Sequence, residues 1–412
     1  MNKKFFLLLT VLLVISMTLA ACGDTTPPPA PEGDQPPAPA EEQVGSYQVP
    51  APVEGKFNVG FVYVGPHDDG GWTQAHDVGR IWAEQNMEGV HTAYVENVAE
   101  GVDSENVTRA LARKGFDMIF TTSFGFMDGT MAVAEEFPDK SFIHVAGYKF
   151  NDTNFGNLMG AMEDIKYLAG MLAGSRAKLD GNPHIGYMAT FPIPEELRLG
   201  NAFGIGVQKT CPECKIDVRF INTWHDPILE QEAAKSLFDA GVQVVMTGAD
   251  TPAPATAAPE GKWGITYDYS GNCTDPKCLT SMYFHWGPIY KELIEQARAG
   301  EYKGGAYYYE ADTGGLGLYG FMEGEELMPG LRDLPEEDLQ LVRDELAKFL
   351  SGEMTRFDVF KGPIKDNKGN VVLAEGEVLR QVDLDCFESA DSPCAGGVGM
   401  YWWFENITAE LP

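Results

Sequence analysis

Three kinds of side chain in this sequence are placed for chemistry: paired cysteines, aspartates beside glycines, and aromatic residues at the ends of apolar runs. Six of the seven cysteines form close pairs, Cys211 with Cys214, Cys273 with Cys278 and Cys386 with Cys394. Such pairs on an exported chain predict disulfide clips on loops. Two sharper chemistries compete with that reading. A redox dithiol at Cys211-Pro212-Glu213-Cys214 needs its first thiolate at a helix N-terminus, whereas this motif follows a helical segment and precedes the strand-like run Ile216 to Ile221. A zinc site built from the first two pairs has acceptable ligand spacing, but oxidising surroundings favour disulfides, so no metal is expected. Trp72 follows Asp69-Gly70-Gly71 at a strand-to-helix turn, and Phe124 and Trp224 come directly after strand-like runs. Aromatic rings there either fill core or offer a face to a flat ligand. Asp69 and Asp250 can each cap the helix that follows while another oxygen faces a ligand. Patterns for catalysis are missing: the sequence has no phosphate loop, no Gly-x-Ser-x-Gly elbow and no His-Glu-x-x-His pair. The letters Gly315-Leu316-Gly317-Leu318-Tyr319-Gly320 fit a dinucleotide fingerprint, but no helix opens there. No catalytic residue and no cofactor are therefore expected.

The address is written at the start of the chain. Lys3 and Lys4 precede an apolar run from Phe5 to Ala21 that is too short for a bilayer span and reads as a secretory signal over residues 1–21. Leu19-Ala20-Ala21-Cys22 looks like a bacterial lipobox, with Cys22 as the lipid anchor; the plainer alternative is an ordinary signal and a chance cysteine. Nine prolines between Asp24 and Glu54 make residues 22–55 a tether that cannot bury a core. The expected location is the extracytoplasmic face of the cell membrane. Of 412 residues, 61 are Asp or Glu and 30 are Lys or Arg, giving a net charge of −31, which excludes a nucleic-acid partner.

These residues need elements to hold them. Strand-like runs at 57–64, 91–97, 118–122 and 141–146 alternate with helical patterns at 72–85, 104–114 and 129–137. The alternation restarts with a helix at 164–177, strands at 184–190, 216–222, 242–247, 264–269 and 279–284, and helices at 195–208, 227–240 and 288–299. A glycine-rich stretch, 304–320, an acidic helix, 335–351, and a tail with Val371 to Leu373 follow. Two rounds of strand and helix predict an α/β chain of two doubly wound parallel-sheet lobes joined by a hinge. The expected division is 56–163 with 285–310 for the first lobe and 164–284 with 311–412 for the second. A cleft between them, at the C-terminal ends of the strands, would trap a ligand.

Val59 to Pro66, Asp69 to Thr73 and His76-Asp77-Val78-Gly79-Arg80 resemble the opening motif of the basic membrane lipoprotein (BMP) family of substrate-binding lipoproteins of ABC importers. Further matches run in order: Ser123-Phe124-Gly125, Glu163 with Tyr167 to Gly170, Phe191 to Glu195, Asn201 to Phe203, Asn222 to Trp224 with Asp226-Pro227, and Ala249 to Ala253. His285 to Pro288, Gly317 to Gly320 and Phe360 to Ile364 complete them. The resemblance implies a type I periplasmic-binding-protein fold, a purine nucleoside or adenine-like base as ligand, a permease partner and a monomer. Carried over by position, Asp69, Gly71, Trp72, Thr73, Ser123 and Phe124 would line the first lobe's wall, and Phe191, Trp224, Asp250 and Asp268 the second's. A purine suits such a site, offering a π face to Trp or Phe and N–H donors to carboxylates. His76 and Asp77 read as helix and packing residues. Two departures from the branch pattern, His225 and Gly248-Ala249, fall at the expected cleft rim and bear on which purine is bound.

Two rival functions belong to other classes. A secreted nucleoside-cleaving hydrolase would need clustered acids, and Asp69 and Asp250 are expected in different lobes without a metal-type cluster. A sugar or signal receptor could use the same fold, since Asp and Trp also clamp sugars.

Overall fold

The computed structural model describes residues 42–386 and 397–411. The signal segment, Cys22 and most of the tether lie outside these residues, as does Cys394. Residues 42–49, expected within the tether, instead form a hairpin of β1 (Glu42–Val44) and β2 (Tyr47–Val49) turning at Gly45. Apolar side chains cause this: Val49 is buried, and Val44 and Tyr47 pack on the same cluster. Tyr47 also donates to Asp103 at 3.1 Å.

The first round runs β3 (Phe57–Val62), α1 (Trp72–Gln85), β4 (Val90–Val95), α2 (Val102–Lys114), β5 (Met118–Thr121), α3 (Met127–Glu136), β6 (Ser141–Val145) and β7 (Phe155–Gly160). The second runs α4 (Glu163–Leu179), β8 (His184–Ala189), α5 (Pro194–Thr210), β9 (Lys215–Phe220), α6 (Pro227–Asp239), β10 (Val244–Thr247), α7 (Ala253–Thr256), β11 (Trp263–Asp268) and β12 (Cys278–Phe284). Then α8 (Trp286–Ala299) and β13 (Gly305–Tyr309) return to the first sheet, and β14 (Leu316–Leu318) returns to the second. The tail contributes α9 (Glu336–Leu350), α10 (Arg356–Val359), β15 (Ile364–Lys365), β16 (Val371–Leu373) and α11 (Gln381–Asp385).

The first sheet has the order β13-β7-β6-β5-β3-β4, with every pairing parallel. The second has the order β14-β12-β11-β10-β8-β9 and is parallel except for the antiparallel edge strand β14. Strands buried on both faces explain the unbroken apolar runs, such as Val244 to Thr247, which is buried at all four positions. Strand order reverses between β3 and β5 in one sheet and between β8 and β10 in the other. Loops diverge at such points and leave a crevice beyond the strand ends.

The chain passes between the sheets after β7, after β12 and after β13. A buried ion network ties two of these passages. Glu163 Oε1 lies 2.8 Å from Arg198 Nε and 3.2 Å from Arg356 Nη1, while Arg356 Nε donates to Glu310 Oε1 at 3.1 Å. Beside it, α4 and α5 cross with no room for side chains: a Cβ on Gly206 would stand 1.9 Å from the Tyr167 carbonyl oxygen.

The cysteines follow the disulfide expectation, with Cys211–Cys214 and Cys273–Cys278 bonded. The first pair lies between the end of α5 and the start of β9, away from any helix N-terminus. Cys386 is disulfide-bonded as well.

Candidate functional site

A cleft with about 540 Å³ of empty space, part of it open to solvent, lies at the C-terminal ends of both sheets. From the first sheet, Val64 and Trp72 follow β3, Ser123 and Phe124 follow β5, and Ala146 follows β6. From the second, Glu195 and Glu196 follow β8, Trp224 follows β9, Gly248 and Asp250 follow β10, and Tyr267 and Asp268 end β11. The walls therefore come from both reversal points. Ala146 and Asp268 hold positive φ angles of 67° and 66° at the ends of their strands. A left-handed backbone at a non-glycine residue costs about 1–2 kcal/mol, and such strain gathers at functional sites.

Trp72 presents a face, not a donor. Its indole N–H already donates to the Thr122 carbonyl at 2.6 Å. Its ring is held by the edges of neighbours at 83–87°, with centroids 4.4 Å from His76, 5.5 Å from Phe284 and 5.8 Å from Trp286. His76, buried and hydrogen-bonded to the Tyr290 hydroxyl, thus positions Trp72 through packing. Trp224 is propped in turn by Phe191, at 4.8 Å between centroids. Ser123 donates to Glu100 Oε1 at 2.6 Å.

Of the ten ligand-contact residues expected from sequence, Trp72, Ser123, Phe124, Trp224, Asp250 and Asp268 line the cavity. The other four stand behind the lining. Asp69 is spent on the start of α1: Oδ1 accepts from the Gly71 and Gln74 amides and Oδ2 from the Thr73 amide, all at 2.9 Å. Burial, and secondarily the Asp250 carboxylate, pushes its pKa up to about 6. Gly71 lets the lobes meet, since a Cβ there would stand 2.4 Å from the Asp250 Cα. Across that contact the Trp72 amide donates to Asp250 Oδ1 at 3.2 Å.

One expectation is corrected here. Asp69 and Asp250, expected apart, meet His225 across the lobes so that one ligand atom from each lies within 4.8 Å of the others. Close approach at Gly71 is the reason. His225 Nδ1 is 3.4 Å from Asp250 Oδ2, and that carboxylate raises the histidine's pKa. Three amides already occupy the Asp69 oxygens, so the trio reads as an interlobe contact.

The carboxyl groups inside the cavity differ in how they are satisfied. Glu196 accepts from the Tyr187 hydroxyl at 2.9 Å and the Thr190 amide at 3.1 Å. Asp268 is buried, and its Oδ1 has no partner. Burial first, and the neighbouring Asp250 carboxylate second, hold its pKa well above the usual carboxylate range. Lys166 offsets only part of this: its ammonium donates to the Thr247 carbonyl at 3.2 Å and sits 3.5 Å from the Tyr267 ring centroid. Burial brings that lysine down to about 8. The result is an aromatic slot rimmed by carboxyl groups with no cation among its lining residues. It suits a flat, uncharged molecule rich in N–H donors and disfavours an anion.

Sequence reasoning missed Glu195, Glu196 and Tyr267. The two glutamates had the look of first-turn acids of α5, favoured there by the helix dipole. Tyr267 read as an ordinary strand residue.

The model of the Bmp family, described as ABC transporter substrate-binding proteins of the PnrA-like type, matches residues 56–350. A purine-binding protein of Brucella abortus is 34% identical over 366 residues, which is 88% of this chain and 96% of the relative. A putative ABC transporter glucose-binding protein of Haloferax volcanii is 36% identical over 266 residues, covering 64% of this chain and 67% of its own. A solved ABC transporter solute-binding protein of Aeropyrum pernix shares the fold at a TM-score of 0.63 and 19% identity, over 75% of this chain and 93% of its own. With the family match extending over most of the chain, and two lobes meeting around a cavity, this chain belongs to the Bmp family of ABC transporter substrate-binding proteins.

Proposed function

We propose that this chain captures a purine base or nucleoside between its lobes and delivers it, chemically unchanged, to the permease of an ABC importer. The observation that carries the reading is the slot itself: Trp72, Phe124, Trp224 and Tyr267 surround a space whose polar rim includes Asp268, with its Oδ1 lacking a hydrogen-bond partner. Stacking supplies affinity and the carboxyl rim supplies choice. The name of the Brucella relative supports a purine. The segments 56–163 with 285–310 and 164–284 with 311–412 would move as the two bodies, with ligand favouring the closed arrangement. Cys22 would carry the lipid that holds a monomer at the extracytoplasmic face, with the proline-rich segment as tether. No described helix is long and apolar enough to cross a membrane.

A sugar is the second reading, favoured by the name of the Haloferax relative. Thermal-shift measurements across purine bases, nucleosides and glucose separate the two, because only a true ligand raises the melting temperature by mass action. Purines should raise it. A shift with glucose and none with purines contradicts the proposal, and release of free base from adenosine or inosine would make the protein an enzyme.

A further inference from the structure

Glu195 is the one glutamate of the cavity with no hydrogen bond to its carboxyl. It is the second residue of α5, and it lines both the aromatic slot and an adjoining, solvent-open hollow bounded in part by Tyr148, Met159 and Arg198. Its neighbour Glu196 spends its carboxyl on Tyr187 and Thr190, whereas neither oxygen of Glu195 meets a donor among the described residues. Glu195 is half-buried, so this open carboxyl faces the space a ligand would fill.

Resting on the flat-heterocycle reading above, we propose that Glu195 is a specificity-determining residue of this cavity, presenting a hydrogen-bond donor beside an acceptor and so admitting heterocycle edges that pair one acceptor with one donor. Adenine and hypoxanthine carry such edges. An edge with two adjacent donors, such as the N1–H and 2-amino group of guanine, is matched by an ionised carboxylate and disfavoured by the neutral acid, although guanine can still offer its O6 and N1–H.

The surroundings keep the acid neutral over part of the physiological range. Burial is the largest influence and pushes its pKa up to about 7. Arg198 on the same helix pulls the other way, Glu196 and Glu163 add to the rise, and Lys166 on α4 opposes it. Asp385 also faces the adjoining compartment. A donor–acceptor edge binds the protonated form, so affinity is full below the raised value and falls as the pH climbs through it.

Isothermal titration of the full chain with adenine tests this. Wild-type affinity for adenine should fall about tenfold from about pH 6 to about pH 8, as one group of this pKa requires. Glu195→Gln keeps a donor beside an acceptor, so it should hold adenine within a few-fold at both pH values and lose most of the pH dependence. Glu195→Ala should bind adenine at least about tenfold more weakly at the lower pH. Glutamine as damaging as alanine, an alanine variant that binds like wild type, or an adenine affinity that does not change with pH would overturn the assignment while leaving purine capture standing. Absence of purine binding by the wild-type chain would overturn both.

Discussion

Glu163 and Asp268 are both fully buried carboxyl groups, and their surroundings hold them in opposite states. Burial raises the pKa of each, but at Glu163 the guanidinium groups of Arg356 and Arg198 outweigh it and hold the carboxylate below its usual value. At Asp268 the carboxylate of Asp250 adds to the effect of burial, and the buried Lys166 does not restore the balance. Each has one oxygen without a hydrogen-bond partner, Oε2 of Glu163 and Oδ1 of Asp268, so the difference is one of charge: two guanidinium groups stand beside the first and another carboxylate beside the second. A buried acid paired with guanidinium groups serves the fold; one held neutral beside aromatic faces is suited to meet a molecule from outside.

The largest break in this contrast comes from the hinge. Arg356→Ala strands Glu310 and leaves Glu163 with Arg198 alone, and removing one partner of a buried pair costs up to about 3–5 kcal/mol. Denaturant unfolding should show that loss, and an unchanged midpoint would mean that the network contributes nothing. Arg356 lies beyond the residues matched by the family model, so the tail here does structural work.

At the cavity the expected losses are in binding. Trp224→Ala removes one stacking face, backed by Phe191, and should weaken purine binding at least tenfold, within the ~1–3 kcal/mol typical of a stacked base, while the melting temperature without ligand stays nearly constant. A large fall in stability with unchanged affinity would turn Trp224 into a packing residue.

The smallest effect is one of slope. Asp268 has a raised folded pKa, so its contribution to stability is complete below the ordinary carboxylate value and is lost as the pH rises toward the folded one. Glu163 behaves in the opposite sense, and its contribution is lost as the pH falls. Asp268→Asn, a neutral mimic, should therefore lose less stability than wild type between about pH 5 and about pH 8. Equal slopes would show that Asp268 is not held neutral.

Much of this was legible in the residues. The α1 limits, Trp72 to Gln85, coincide with the expected helix because Asp69-Gly70-Gly71 forms the turn that starts it and Asp69 caps it. Strand β7 was missed because Phe155-Gly156-Asn157-Leu158-Met159-Gly160 has turn-like glycines and asparagine; it is a strand because β6 and β13 flank it. Strand β13 lay hidden in a glycine-rich stretch for the same reason. Both depend on distant partners, which local propensity does not contain. The aromatic walls were visible as residues following strand ends. Glu195 was not, because its value as a cavity residue depends on what fails to reach it, and an absent partner has no sequence pattern.

The account stands on a flat nitrogen heterocycle being held intact between the lobes. Native mass spectrometry of the freshly purified protein, followed by release and identification of whatever it carries, tests this most directly. The account predicts an unmodified purine base or nucleoside in about one copy per chain; a sugar in its place, or a cleaved product, would contradict it.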